Sequence, residues 1–338
     1  MVTIKDIAKE LNLSYSTVSL ALNASPMVSK TTMRRVKEAA REMGYKPNAM
    51  ARALVLKRSG IIGIIVPDIT NPFFSSVAFG AEQAAHKRGY NLLICNTEWN
   101  DELESHHLTL IVEKKIDGLL IASVNKKNHL LEGIIKQDLP LVFISSAYPS
   151  ARCNFVGIDA EPGGYLVGKH LTDLGHREIA FVGGKFNSFS VQRRYAGFIK
   201  ALADQKIAFN KEYTLSGEFS IESGYENGIK LLKKFPKVTA TMAADDLIAV
   251  GMLKAMLERG IRVPQDFSIV GFDDIFIASL PGIELTTVFQ EKKLMGELAM
   301  NILLDELNSG GDSKREKKSI VLSPRLVIRN TTAPPHSE

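Results

Sequence analysis

Two groups of residues in this 338-residue chain have the types and spacing that recognition chemistry needs. The first is Ser14-Tyr15-Ser16-Thr17, three hydroxyls and a phenol set just before an apolar rhythm at Val18, Ala21 and Leu22. Hydroxyls donate and accept, so they suit both base edges and phosphate oxygens. The second group is polar and aromatic, and its members close or follow short apolar runs. Asn71, Phe73 and Phe74 follow "GIIGIIVPDI", Ser145 ends "LPLVFIS", and Asp159 follows "FVGI". Ser188, Ser190 and Arg194 follow "FVGG", and Phe219 ends "SGEF". Asp245 ends "TMAAD", Asp273 ends "IVGFD" and Gln290 ends "LTTVFQ". Carboxylates and a guanidinium clamp paired hydroxyls through charge-assisted hydrogen bonds, while phenyl faces cover a sugar ring or stack on a base.

Reaction chemistry has little to stand on. The chain has no glycine-rich nucleotide loop, no GxSxG and no HExxH, and no nucleophile–base pair can be named. His106 and His107 are adjacent, so on a helix they diverge by about 100° and cannot share a metal. No catalytic residue, metal or cofactor is expected. Cys95 and Cys153 form no CxxC, which fits a reducing compartment. No apolar run approaches the roughly 18 residues of a membrane helix, and "MVTIKDIAKE" lacks a signal-peptide core. A cytoplasmic protein with no membrane partner is the expectation.

The elements that position the first group read as three short helices. Thr3 and Asp6 have capping-box spacing for a helix over 4–11. Asn12-Leu13 breaks it, Ser14 caps a second over 15–23, and Ser29 caps a third over 30–43 that Gly44 ends. A tight break between the first two predicts a helix-turn-helix. The second helix then sets Ser16, Ser19, Leu20 and Asn23 on one face, opposite Val18, Ala21 and Leu22, with Tyr15 at its rim. Such a helix start reaches base edges in the major groove. Charge agrees: residues 1–58 hold 11 Lys/Arg against 4 Asp/Glu, while the rest of the chain is slightly acidic. After Pro47, Asn48 can cap a short helix over 49–56, a length marginal in isolation.

The second group needs a different frame. Apolar runs at 60–69, 90–97, 117–123 and 139–145 alternate with helical patterns, and the rhythm restarts at 177–184, 213–219, 238–245 and 267–274. Buried parallel strands in two successive doubly wound α/β units account for this, with a break near 159–164. Ligands in such sheets sit beyond the carboxyl ends of the strands, where the second group collects.

"VTIKDIAKELNLSYSTVSLALN" and "VSKTTMRRVKEAAREMGYKPNAMARAL" resemble the DNA-binding headpiece of the LacI/GalR family of bacterial regulators, the lactose- and purine-repressor type. "DITNPFFSSVAFGAEQAAHKRGY", "FVGIDAEPGGYLVGKHLTDLGHREIAFVGG", "QRRYAGF", "VPQDFSIVGFDDI" and "LTTVFQ" extend the resemblance to about residue 329. It implies a small all-α headpiece over 1–46, a hinge helix and linker over 47–59, and an α/β core like a type I periplasmic binding protein. The core subdomains would be 60–159 plus about 290–320, and 160–289 plus about 321–332, with 333–338 as tail. Tyr15, Ser16 and Leu20 match base-reading positions, and Thr3, Ser14, Thr17 and Asn23 lie near phosphates. Leu54 matches the family's apolar wedge into the minor groove, with Arg52 on the same element. Phe73, Asp159, Arg194, Phe219, Asp245 and Asp273 match effector positions. This chain has Ser145-Ser146 where many relatives have Asp-Arg, and Asp245-Asp246 where many have Asn-Asp. A neutral or amino-bearing sugar is favoured over a sugar phosphate, with a purine or nucleoside as the alternative. A homodimeric, ligand-responsive repressor on a near-palindromic operator is the function implied.

Overall fold

Local sequence dictates the helices of the N-terminal unit. In the computed structural model, which describes residues 2–23, 25–45, 58–124, 128–137, 139–145, 153–185, 188–309 and 317–336, residues 1–59 and 60–338 form two compact units. Helix α1 (Ile4–Glu10) opens at Thr3, whose backbone N–H and hydroxyl both donate to the Asp6 carboxylate at 2.8 Å. Asn12 turns the chain at φ 52°, a conformation asparagine tolerates better than most residues. Helix α2 (Tyr15–Leu22) opens at Ser14, whose Oγ accepts from the Thr17 N–H at 3.0 Å. Helix α3 (Lys30–Glu42) opens at Ser29 in the same way and stops just before Gly44 at φ 68°. Ile7, Ala8, Val18, Ala21, Val36, Ala39 and Ala40 form the core of this unit. Burying a side chain the size of Val18 or Val36 stabilises by about 1.5–3 kcal/mol, which is what holds helices this short.

The second unit begins β1 (Ile61–Val66), α4 (Pro72–Lys87), β2 (Asn91–Asn96), α5 (Asp101–Glu113), β3 (Gly118–Ile121), α6 (His129–Lys136), β4 (Leu141–Ser145), β5 (Asn154–Ile158). It continues α7 (Ala160–Asp173), β6 (Ile179–Val182), α8 (Phe189–Asp204), β7 (Thr214–Leu215), α9 (Ile221–Lys234), β8 (Ala240–Ala243), α10 (Asp246–Glu258), β9 (Ser268–Val270), β10 (Thr287–Phe289). The last elements are α11 (Lys292–Asn308), β11 (Ser319–Leu322) and β12 (Arg325–Val327). One parallel sheet runs β11-β5-β4-β3-β1-β2 and the other β7-β6-β8-β9. Isolated parallel bridges join Val270, the end of β9, to Thr286 just before β10, and Asp273 to Phe289 at the end of β10, while β12 adds antiparallel to β10.

The chain therefore crosses between the two halves after Ile158, after Phe289 and after Leu322. Helix α11 returns to the first half and packs on α4. The approach is close enough that a Cβ on Gly80 would lie 2.1 Å from the Lys293 carbonyl oxygen, and one on Gly296 1.9 Å from that of Val77. A subdomain boundary at 320/321 would cut through β11, whose Val321 and Leu322 still pair with Gly157 and Ile158. The last crossing is instead at Ser323-Pro324, where proline has no N–H to continue the ladder. Strand β5, marked in the sequence only by the short run "FVGI", carries Asn154 at its start. That amide donates to Glu306 at 2.6 Å and accepts from the Lys318 N–H at 2.9 Å, which fastens the terminal strand beside it.

Candidate DNA-reading face and ligand cleft

With Val18 and Ala21 turned into the core, α2 presents its opposite face to solvent. Tyr15 is 53% exposed, Ser16 and Asn23 are exposed, and Ser19 and Leu20 are half-buried. Part of the hydroxyl cluster is already engaged. Thr17 Oγ1 lies 2.8 Å from Ser14 Oγ, so both belong to the cap, and Thr3 Oγ1 is held by Asp6. Asn23 Nδ2 donates to the Ser19 carbonyl at 2.9 Å. Tyr15 and Ser16 are left as the polar groups of the helix start that project outward. Asn48, Arg52 and Leu54 lie outside the described residues.

In the second unit the carboxyl ends of the strands in both sheets meet at a cleft. Asn71 caps α4, its Oδ1 accepting from the Phe73 N–H at 2.9 Å, with Pro72 at the first helical position. Its amide also reaches across to Asp245 Oδ2 at 3.5 Å, a contact between the halves. Asp245 caps α10 by accepting from the Ile248 N–H at 2.8 Å. Burial first, then the nearby Asp273 charge, pushes its carboxyl up to about 7. Arg194, on α8, donates to Asp273 Oδ1 at 3.2 Å and to the Ala244 carbonyl, and its guanidinium lies 3.9 Å over the Phe272 ring. Arg194 Nε is buried and has no partner among the described residues. Asp273 sits at φ 116°, accepts from Gln290 Nε2, and is raised by burial despite Arg194 and Lys292 beside it. Lys292 Nζ in turn donates to the Asp274 carbonyl at 2.7 Å, and burial holds its ammonium below the usual range. These contacts make a buried clamp of one arginine and paired carboxylates, with a donor and an acceptor facing each other across the cleft.

An aromatic wall adjoins the clamp. Phe74 meets Phe73 edge-on at 5.0 Å and Trp99 at 6.2 Å, and Trp99 stacks on Phe219 at 4.5 Å. A cavity of about 60 Å³ borders this wall, lined among others by Phe74, Trp99, Ser145, Lys185, Ser188 and Ser190. Ser188 and Ser190 share a hydrogen bond at 2.9 Å, and Ser145 sits at φ 66°. Asp159 stands apart from these contacts. It caps α7 and pairs with Arg193 at 3.1 Å rather than with Arg194. Phe73, 3% exposed, packs beneath Phe74.

Sequence reasoning missed Trp99, Lys185 and Asp246. Trp99 lies three residues beyond β2 and Lys185 three beyond β6, so the strand-end rule that found Asn71 and Arg194 applies to both. Asp246 is buried beside Asp245 and accepts from Thr287 Oγ1 at 2.5 Å and from the Ile275 N–H at 2.8 Å. It ties α10 to the β9–β10 region, and burial raises its carboxyl well above the usual range. Among the described residues no group of three or more His, Cys, Asp or Glu side chains could hold a metal ion.

A helix-turn-helix with an exposed polar start, followed by two parallel sheets enclosing a clamp, is the arrangement the comparisons with known proteins also find. The model of "Bacterial regulatory proteins, lacI family" matches residues 3–48, and that of the "Periplasmic binding protein-like domain" matches residues 169–332. The HTH-type transcriptional repressor PurR of Haemophilus influenzae (strain PittEE) is 34% identical over 332 residues, covering 98% of both chains. The lac repressor dimer bound to operator and the anti-inducer ONPF superposes with a TM-score of 0.87 at 28% identity, covering 98% of this chain and 99% of that one. A LacI family regulator from Enterococcus faecium with bound ribose gives 0.73 at 30% identity, covering 81% and 99%. With both units matched and a repressor alike from end to end, the chain belongs to the LacI family of bacterial regulatory proteins and is a DNA-binding transcriptional repressor, not an enzyme.

Proposed function

We propose that this repressor acts as a homodimer on a near-palindromic operator and that a small ring-shaped molecule bound in the cleft changes its hold on DNA. The observation that carries the ligand part is the buried Arg194–Asp273 pair. A guanidinium and a carboxylate, each under a tenth exposed, are costly to keep unless they hold a structure or a ligand together. Their placement beyond the strand ends, beside an aromatic wall, favours the ligand. Tyr15, Ser16 and Leu20 would read base edges, and Thr3, Ser14, Thr17 and Asn23 would lie along the phosphates. The hinge segment with Asn48, Arg52 and Leu54 would carry the link between the cleft and the operator centre, on the strength of the family resemblance.

Dimerisation has its own support. Leu93 and Ile94 are 40% and 47% exposed on β2, the edge of the first sheet, and Phe79 on α4 is 47% exposed. Phe276 and Leu280 add exposed apolar surface in the second half. We read these exposed apolar groups as surface available to a second copy of the chain, and a two-fold dimer would read two half-sites. DNA as the partner would place the protein in the cytoplasm, in keeping with two free cysteines.

For the ligand, a neutral or amino-bearing sugar suits the carboxylates and the serines at the rim. A purine or other flat base is the second reading, favoured by the aromatic faces of Phe74, Trp99 and Phe219. Operator selection with the full-length chain, followed by DNA binding with and without ribose, cellobiose, adenine and guanosine, tests this function. A ligand that shifts operator affinity in the wild type and not in Arg194→Ala is the expected result. Equal shifts in both would place the ligand elsewhere.

A further inference from the structure

We propose that Trp99 is a built-in occupant of the cleft, an indole that a flat ring-shaped ligand must exchange with in order to bind. The inference rests on the reading of this cleft as the ligand site and adds a competitor inside it.

Trp99 is the single tryptophan of the chain. Its indole comes from the first half and lies face to face with Phe219 of the second, centroids 4.5 Å apart and planes 20° apart. At that separation no ring fits between them. Phe219 has little freedom to withdraw, because it packs on Gly184 so closely that a Cβ there would lie 2.6 Å from the ring. Phe74 closes the group edge-on at 6.2 Å. The cavity beside them holds about 60 Å³, far below the roughly 300 Å³ at which ligand pockets begin. Binding a ring here requires that something already in the slot leave it. Trp99 is the half-buried member of the group, whereas Phe74 and Phe219 are buried.

The backbone carrying the indole has the character of a poised turn. Glu98 and Trp99 stand at φ 52° and 58°, two consecutive residues in the left-handed region with no glycine to ease them. Such strain persists only where neighbouring contacts impose it, and it gathers at functional sites. Here the Trp99 N–H donates to the Pro67 carbonyl at 3.3 Å and the Asn100 N–H to Thr97 at 2.8 Å. Asn100 then caps α5, accepting from Glu102 at 2.7 Å. These bonds fix the turn without using the indole. The side chain can therefore rotate out about its own torsions while the turn stays in place. Because the stack joins the two halves, the exchange would also break one of the contacts between them.

The test uses the full-length protein, wild type and Trp99→Ala, with indole and adenine as probes and ribose as the non-aromatic control. A vacated aromatic slot binds a small ring of matching shape, as engineered apolar cavities do. Calorimetry and thermal shift should show indole and adenine binding Trp99→Ala at least tenfold more tightly than wild type, with ribose indifferent to the change. Adding Phe219→Ala should abolish the gain by removing the wall. Trp99→Leu, which keeps an apolar contact with Phe219, should give an intermediate gain and carries the test if the alanine variant does not fold. Equal or weaker binding by the Trp99 variants, or no binding of either flat probe to them, overturns the proposal. The cleft reading fails separately, by equal ligand effects on operator binding in wild type and Arg194→Ala.

Discussion

The two recognition regions are built on opposite plans. In the headpiece the polar groups are exposed and their bonds are short in sequence: Thr3 to Asp6, Ser14 to Thr17, Ser29 to Thr32, Asn23 to Ser19. In the cleft they are buried and their bonds are long: Arg194 reaches Asp273 across 79 positions, Asn71 reaches Asp245 across 174. The difference follows from what each region handles. A phosphate backbone needs a wet, positively charged surface on small helices, where affinity comes from released counterions. A small molecule needs groups oriented in advance and shielded from water, which only two folded halves can supply. Damage to the first should therefore be local, and damage to the second should spread through the core.

Arg194→Ala should separate the two regions most. It leaves Asp273 buried beside Lys292 without its arginine, a change that costs about 3–5 kcal/mol when a buried pair is broken. Chemical denaturation should show a large loss in the unit spanning residues 60–338 and no change in headpiece melting. If both transitions move together, the regions are not independent.

A pH effect of the same origin should come next. The Asp245 carboxyl, raised from 3.8 to about 7 by burial and by Asp273, stays protonated in the folded chain while the unfolded chain ionises. Stability of the second unit should fall as pH rises from about 4 to 7, because folding there binds protons that unfolding releases. Asp246 and Asp273 are shifted the same way and add to the slope. Asp245→Asn should flatten the slope without removing it, as melting temperatures at several pH values would reveal; a slope unchanged by the substitution would mean that Asp245 is ionised throughout.

The smallest effect belongs to the headpiece. Ser14→Ala removes the cap on α2 and the partner of Thr17, worth about 1 kcal/mol. Hydrogen exchange in α2 should quicken while the cleft is untouched.

The same contrast decides what could be read from sequence. Caps, turns and apolar periods are local signals, so the three helices of the headpiece, the parallel strands and the strand ends that face the cleft were legible. Helix ends came out one residue long at Leu11, Asn23 and Met43, which serve as C-caps. Whether Asp159 joins Arg193 or Arg194 depends on how α7 meets α8, and nothing local encodes it. The last crossing, expected near 320/321, lies at Ser323-Pro324; β11 and β12 are too short and too exposed for sequence alone to assign each to its sheet. Trp99 went unnoticed for a different reason. Its partner Phe219 is 120 positions away, and one tryptophan after a strand looks like ordinary packing until the stack across the cleft is seen.

Removing residues 1–58 tests the division of labour most directly. The remaining chain should fold, keep its affinity for whichever of ribose, cellobiose, adenine or guanosine the full-length protein binds, and lose all specific DNA binding. In the full-length protein operator affinity should fall steeply with salt, as expected for a segment with 11 Lys/Arg against 4 Asp/Glu. Specific operator binding by the shortened chain, or loss of its ligand affinity, would contradict the account.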